Sequence, residues 1–390
     1  MFYRDIKYLQ GRLSMFIGIP AEILDGETRV AATPETVKKF SANGTHVVLI
    51  QSGAGAGASI TDESFKEAGA TIINGTEELY RLSQIVLKVQ APDSSELKMI
   101  RKDAVLLGLL SPHNTEGIAS LAAHGLTAFS MEKIPRISRA QNMDVLSSQA
   151  NIAGYKAVLI AANVYQKFLP MLMTAAGTVK AARILVLGAG VAGLQAIATA
   201  KRLGAVIEAF DVRPVAKEQV ESLGAKFVEV PLSDEEKEQA ETAGGYAREM
   251  SDDYKRRQGE LVHQRALVAD IIITTALIPG RPAPVLINEE TVKEMKPGSV
   301  IVDMAVEAGG NCPLSELNKT VVKHGVNLIG IANIPGLVAA DSSSLYARNL
   351  LNFLNLMLDA ESGEFKLDRE DEIIAGTLAC IDGEVVSNVK

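Results

Sequence analysis

The residues with the clearest chemical content form a glycine loop, Gly188-Ala189-Gly190-Val191-Ala192-Gly193, between a strand-like run, Arg183–Leu187, and a helical run, Leu194–Arg202. Gly188 permits a tight turn, Gly190 lets the backbone approach a pyrophosphate without a Cβ clash, and Gly193 allows close packing of helix on strand. The helix start then offers unpaired N–H groups and the positive end of its dipole to phosphate oxygens. The next apolar run, Val206–Phe210, ends in Asp211, about twenty residues past the loop, as the dinucleotide fingerprint requires. A carboxylate there accepts hydrogen bonds from ribose hydroxyls and repels a 2′-phosphate, which favours NAD(H) over NADP(H). Arg213 is the residue type that sometimes accommodates that phosphate.

A second constellation runs from Pro135 to Gln149 and contains Arg136, Ile137, Ser138, Gln141, Asp144 and Ser147. Two roles fit it. Its polar residues can cap a following helix, with Asp144 and Ser147 one turn apart, or they can hold a nicotinamide ring and its ribose by hydrogen bonds without acting as acid or base. The strand-end segment Asp303–Gly310, with Glu307, is equally open between a cap and a crevice residue. A nicotinamide enzyme that oxidises an alcohol or amine normally needs a side chain to take a proton. Of His46, His113, His124, His263 and His324, only His113 follows a strand at a plausible edge. No Ser-His-Asp order, zinc spacing or P-loop is legible.

The elements that must position these residues alternate. His46–Ile50, Ile85–Val89 and Val105–Leu110 read as strands; Pro34–Asn43, Asp62–Ala68 and Thr115–His124 read as helices. A second series of strands runs through Arg183–Leu187, Val206–Phe210, Lys226–Val230, Ile271–Thr275, Val300–Met304 and Asn327–Ile331. Such alternation predicts parallel sheets with crossover helices, an α/β protein of two Rossmann-like domains. The helical run Met143–Phe168 links them, and the helical Ser343–Met357 segment is expected to pack back on the first. The expected division is 1–144 with 335–390, and 145–334 as the NAD(H)-binding domain. The charged stretch Ser233–Gln264, broken by Gly244-Gly245 and followed by Tyr246, is longer than a normal connection. It reads either as a solvated helical excursion or as a flap over the ligand.

A chain of 390 residues exceeds what one core usually supports. A net charge of −8 argues against nucleic acid or an anionic membrane surface as partner. No apolar run approaches the ~18 residues that cross a bilayer, and residues 1–14, which read as an extension, lack the apolar core of a secretory signal. Two cysteines, Cys312 and Cys380, fit a reducing, cytoplasmic setting without a disulfide framework or metal cluster.

The chain resembles the NAD(H)-binding component of proton-translocating nicotinamide nucleotide transhydrogenases, from about Met15 to its C-terminus. The resemblance is carried by Arg136–Gln149, Met173–Thr178, Val191–Gln195, Ala240–Tyr246, Thr274–Gly280 and Asp303–Pro313. It implies a homodimer and a mobile loop bearing Tyr246. Nucleotide contacts are implied at Ser138, Val191, Asp211, Val212, Arg213, Gly245, Gln258 and Leu277. Arg136, Gln141, Asp144 and Ser147 would position the dihydronicotinamide, Gln141 most directly. It further implies direct hydride passage to NADP⁺ on a partner component, which removes the need for a base. Proton translocation would belong to separate membrane-spanning subunits, with this chain peripheral on the cytoplasmic face of a bacterial inner membrane. The related alanine dehydrogenases share Glu22, Arg29-Val30-Ala31 and Thr33-Pro34, and Arg29 and Lys88 would hold a small carboxylate there. Gln90 stands where those enzymes usually carry a second Lys, Leu109 or Leu110 where their histidine is expected, and Glu307 in place of their Asp. Ala21 departs from the Lys common to both families.

Overall fold

The computed structural model describes residues 15–42, 44, 46–230, 252–278, 280–359 and 362–386. They form two compact units, one built from the chain up to Gln149 and from Pro335 on, the other from Ala150–Ile334. The division falls after Gln149 rather than after Asp144, and side-chain bonds explain why. The helix Val145–Val164 begins in the first unit, where Ser148 Oγ donates to Asn349 Oδ1 at 2.8 Å and Gln149 Oε1 accepts from Arg29 Nη1 at 2.9 Å.

The first unit is an eight-stranded sheet. Six strands are parallel, in the order Thr71–Ile73, His46–Gln51, Met15–Ile19, Ile85–Gln90, Val105–Leu109, Thr127–Ser130. The sheet continues antiparallel through Leu378–Ile381 and Glu384–Val385, so the C-terminal segment completes it. Its strands read as unbroken apolar runs because both faces are covered. Ile17, Ile50, Leu87 and Phe129 pack against Tyr346, Leu350 and Phe353 of the helix Ala339–Leu354. Phe16, Leu49, Val86 and Leu106 pack on the other side with Tyr80 and Leu121.

The second unit has seven strands, ordered Lys226–Phe227, Val206–Phe210, Arg183–Leu187, Ile271–Thr274, Val300–Asp303, Val326–Gly330, Lys319–Lys323. The strand order reverses between Arg183–Leu187 and Ile271–Thr274, the switch point where doubly wound sheets open a crevice. The last pair is antiparallel, joined by His324 and Gly325, both at positive φ (51° and 79°), as a two-residue hairpin turn requires.

The structure thus amends the expectation of parallel sheets at one edge of each unit. It also adds a small hairpin, Leu172–Thr174 with Gly177–Val179. The strand expected over Lys226–Val230 is limited to two residues, Lys226–Phe227. The Ser233–Gln264 excursion is described only from Asp252, where a helix runs to Val268. Gly245 and Tyr246 lie outside the described residues. Among the described residues no helix is long and apolar enough to cross a membrane.

Candidate functional site

The glycine turn follows directly from its strand. Gly188 stands at φ +99°, and Gly190 is the residue before the helix Val191–Arg202. A Cβ on Gly193 would lie 1.9 Å from the carbonyl oxygen of Gly188, so the helix can start this close to the strand only with glycine there. At Gly190 the situation is opposite. An added Cβ would meet nothing nearer than Arg213 Nη2 at 3.9 Å, so this stretch of backbone is open on its outer side. A close-packed inner glycine beside an open one is what a pyrophosphate cradle needs.

Asp211 ends the adjacent strand and locks the turn. Its Oδ2 accepts from Ala189 N at 2.7 Å, and its Oδ1 accepts from Arg213 N at 2.8 Å. The Arg213 guanidinium forks onto it through Nε and Nη2, both at 2.9 Å. All four lone-pair directions of the carboxylate are therefore in use. Burial alone would push its pKa up, but the Arg213 and backbone donors outweigh that and hold it below the usual carboxylate range. The arginine flagged in the sequence is thus the acid's partner here. A ribose hydroxyl can reach Asp211 only if Arg213, itself 41% exposed, swings away.

Across the switch point, Thr275 Oγ1 donates to the carbonyl of Gly188 at 2.9 Å, tying the next loop to the glycine turn. Sequence reasoning missed this residue, because a threonine at a strand end carries no signal of its own. Val191, Val212 and Leu277 are exposed at this edge, apolar surface that a bound planar ring would cover. Gln258 is half-buried on the helix Asp252–Val268.

The Arg136–Ser147 segment lies in the first unit. Ser138–Met143 forms a 3₁₀ turn, and Asp144 follows it. Asp144 Oδ1 accepts from Ser147 N at 2.9 Å and Oδ2 from Ser147 Oγ at 2.6 Å, so the capping role is realised. The segment is pinned from outside. Arg139 pairs with Asp371 at 2.6 and 2.9 Å, and the Asn142 carbonyl accepts from Asn349 Nδ2 at 2.8 Å and Asn352 Nδ2 at 3.0 Å. Ile137 is half-buried against the core. Arg136, Ser138 and Gln141 are exposed, and among the described residues no hydrogen bond to the Arg136 or Gln141 side chain is found. Rigid backbone with free polar tips suits ligand orientation.

The first unit has the same strand order reversal, but its crevice is filled by its own charges. Lys88, fully buried, lies 2.7 Å from Glu96 Oε1 and 3.3 Å from Glu22 Oε2. Glu22 also accepts from Val89 N at 2.6 Å, and burial pushes its pKa up against the pull of Lys88. Arg29 is held by Glu27 at 2.6 Å and by Gln149. Neither cation is left to meet a substrate carboxylate. His113 is exposed, His124 Nε2 contacts the Ile100 carbonyl at 2.7 Å, and Glu307 is exposed on a 3₁₀ turn.

Turn, acid and switch-point loop define a dinucleotide-binding α/β protein of the dehydrogenase class. Comparison with known proteins narrows this. Residues 18–153 match the family model described as alanine dehydrogenase/PNT, N-terminal domain, and residues 157–388 match alanine dehydrogenase/PNT, C-terminal domain. The chain is 53% identical to an NAD(P) transhydrogenase subunit alpha chain of Rhodospirillum rubrum, across 95% of this chain and 98% of that one. A crystal structure of transhydrogenase from Sinorhizobium meliloti superposes with a TM-score of 0.85 at 47% identity, covering 95% of this chain and all (100%) of that one. An alanine dehydrogenase of Mycolicibacterium smegmatis is 29% identical across 96% of this chain and 95% of its own. The chain belongs to the alanine dehydrogenase/PNT family, on its NAD(P) transhydrogenase alpha-subunit branch, and is a component of an oxidoreductase complex.

Proposed function

We propose that this chain binds NAD(H) and presents it for direct hydride exchange with NADP(H) held by a partner component, in a complex whose membrane-spanning subunits translocate protons. The observation that carries the reading is the glycine turn with Asp211 locked beneath it, together with Arg136 and Gln141 held on pinned backbone with free side chains. When bound, the dihydronicotinamide supplies or accepts the hydride. Everything else falls to this chain's residues.

The N–H groups at the start of the helix Val191–Arg202 and the open backbone of Gly190 hold the pyrophosphate. Asp211 holds the adenosine ribose after exchanging Arg213 for its hydroxyls, and Val212 and Leu277 cover the adenosine half. Arg136, Ile137, Ser138 and Gln141 orient the nicotinamide end, with Asp144 and Ser147 fixing the turn that carries Gln141. Gly245, Tyr246 and Gln258 complete the proposed contacts. Hydride exchange between two rings requires close, aligned approach and exclusion of water, and no proton is taken from a substrate. That agrees with the buried, carboxylate-paired state of Lys88 and Arg29.

Homodimer formation belongs to the same proposal. Phe168, Met171 and Met173, exposed beside the small hairpin, are the apolar surface that pairing would cover. So does a peripheral position on the cytoplasmic membrane face, reached through partner subunits.

The test mixes purified chain with an NADP(H)-binding transhydrogenase component and follows transfer from NADH to bound NADP⁺, with L-alanine plus NAD⁺ run in parallel. Transfer without activity on alanine is expected. NADH formation from alanine by the chain alone would replace the proposal with an amino-acid dehydrogenase.

A further inference from the structure

The loop leaving the strand Ile271–Thr274 carries Leu277 and Ile278 exposed at the switch point, 57% and 46% accessible. Apolar side chains stay that exposed on a loop only if its backbone is held from behind. The holder is Asn311, whose side chain is wholly buried and fully used. Its Nδ2 donates to the carbonyls of Ala276 and Pro284, each at 2.8 Å, and its Oδ1 accepts from Ala276 N at 3.2 Å. One amide thus staples both ends of the segment that carries Leu277.

Asn311 is placed in turn by Asp303 at the end of the next strand. The fully buried Asp303 carboxylate accepts from the backbone N–H groups of Ala305, Asn311 and Cys312 at 3.0 to 3.1 Å, and from Thr274 Oγ1 at 3.3 Å. Gly310, at φ +82°, lets the chain turn this tightly; a Cβ there would lie 2.6 Å from Asp303 Oδ2. The near end of the stapled loop is fixed to the glycine turn by the Thr275 bond described above. A chain of buried, satisfied bonds therefore runs from Asp303 through Asn311 to the Leu277 loop.

We propose that Asn311 is a positioning residue for nucleotide binding: through the Ala276 and Pro284 carbonyls it holds the Leu277–Ile278 edge in its ligand-ready position before the ligand arrives. The proposal rests on the NAD(H) reading above. Its ligand contact is made by Leu277, and Asn311 acts through the loop. Preorganisation of this kind lowers the ordering cost of binding rather than adding a contact.

The test is a double-mutant cycle on NADH affinity, read by fluorescence titration of the full chain, with thermal unfolding measured alongside. Asn311→Ala is expected to raise Kd for NADH about tenfold, and Leu277→Ala to raise it by a similar factor. Together they should do little more than either alone, because both remove one device. Multiplying losses, or an unchanged Kd in folded Asn311→Ala with only a lower Tm, would overturn the proposal. Should Asn311→Ala fail to fold, hydrogen exchange on the unliganded wild type decides. The Ala276 amide is expected to be protected, and exchange at the rate of an unstructured loop would overturn it. Failure of the wild-type chain to bind NADH would instead remove the reading on which it rests.

Discussion

Replacing Asp211 with Asn tests both the stability and the selectivity assigned to this acid. The carboxylate has two equivalent acceptors, one serving Ala189 N at 2.7 Å and the other Arg213 N at 2.8 Å. An amide has one acceptor and one donor, so whichever way it turns, one N–H faces an NH₂. A buried donor left unsatisfied costs about 1–3 kcal/mol. The Arg213 fork is lost as well, but that guanidinium can turn to water, so it adds little. At about 2–4 °C per kcal/mol for a unit of this size, Tm should fall by several degrees. The wild-type contribution has a defined pH range. Because the folded pKa is depressed, it is fully present above the unfolded value of about 3.9 and disappears as pH falls through the lower folded pKa. The variant's Tm deficit should therefore shrink only in strong acid. For NADH, a hydrogen bond from a ribose hydroxyl to a charged acceptor is worth about 1.5–3 kcal/mol. At about 1.4 kcal/mol per tenfold, Kd should rise roughly 10- to 100-fold. NADPH should lose less or gain, since repulsion is removed and Arg213 is released. Fluorescence titration with both nucleotides checks this. Equal weakening of NADH and NADPH would refute the selectivity role and leave Asp211 as a turn-locking residue alone.

Gln141→Asn, one methylene shorter on a pinned turn, should slow hydride transfer at least about tenfold while leaving Tm and NADH affinity unchanged; weakened binding with normal transfer would contradict the ring-placement role. Gly193→Ala must displace the glycine turn, since its Cβ would meet the Gly188 carbonyl at 1.9 Å. Loss of NADH binding and a destabilisation of at least about 1–3 kcal/mol are expected in titration and denaturant unfolding. Lys88→Met strands Glu22 and Glu96 without their cation, and should cost roughly 3–5 kcal/mol of stability. NADH affinity of the folded variant should be retained, because Lys88 is kept from ligand by its carboxylates; a specific loss of NADH affinity would show that it has a binding role.

The alternation of apolar strands and helices and the fingerprint from Gly188 to Asp211 were legible because each is local. Strand period, turn residues and a carboxylate at a fixed spacing act over a few residues, and their meaning does not depend on the rest of the chain. The edge strands were not legible in this way. Leu378–Ile381 becomes a strand by pairing with Thr127–Ser130, some two hundred and fifty residues earlier, and no local pattern announces so distant a partner. The boundary at Gln149 was hidden for the same reason, since bonds to Arg29 and Asn349 decide where the first turn of a continuous helix belongs.

Within the site, residue types were readable but their partners were not. Arg213 read from sequence as a possible phosphate ligand, and tertiary structure turns it back onto Asp211. Lys88 and Arg29 read as candidates for a substrate carboxylate, and the fold supplies Glu96, Glu22 and Glu27 instead. Asn311 and Thr275 gave no sequence signal at all, because an amide or a hydroxyl gains its role only from the backbone groups brought within about 3 Å of it. Periodicity and spacing specify elements and turn chemistry. Which buried polar group satisfies which other is a property of elements far apart in the chain, and packing alone sets it.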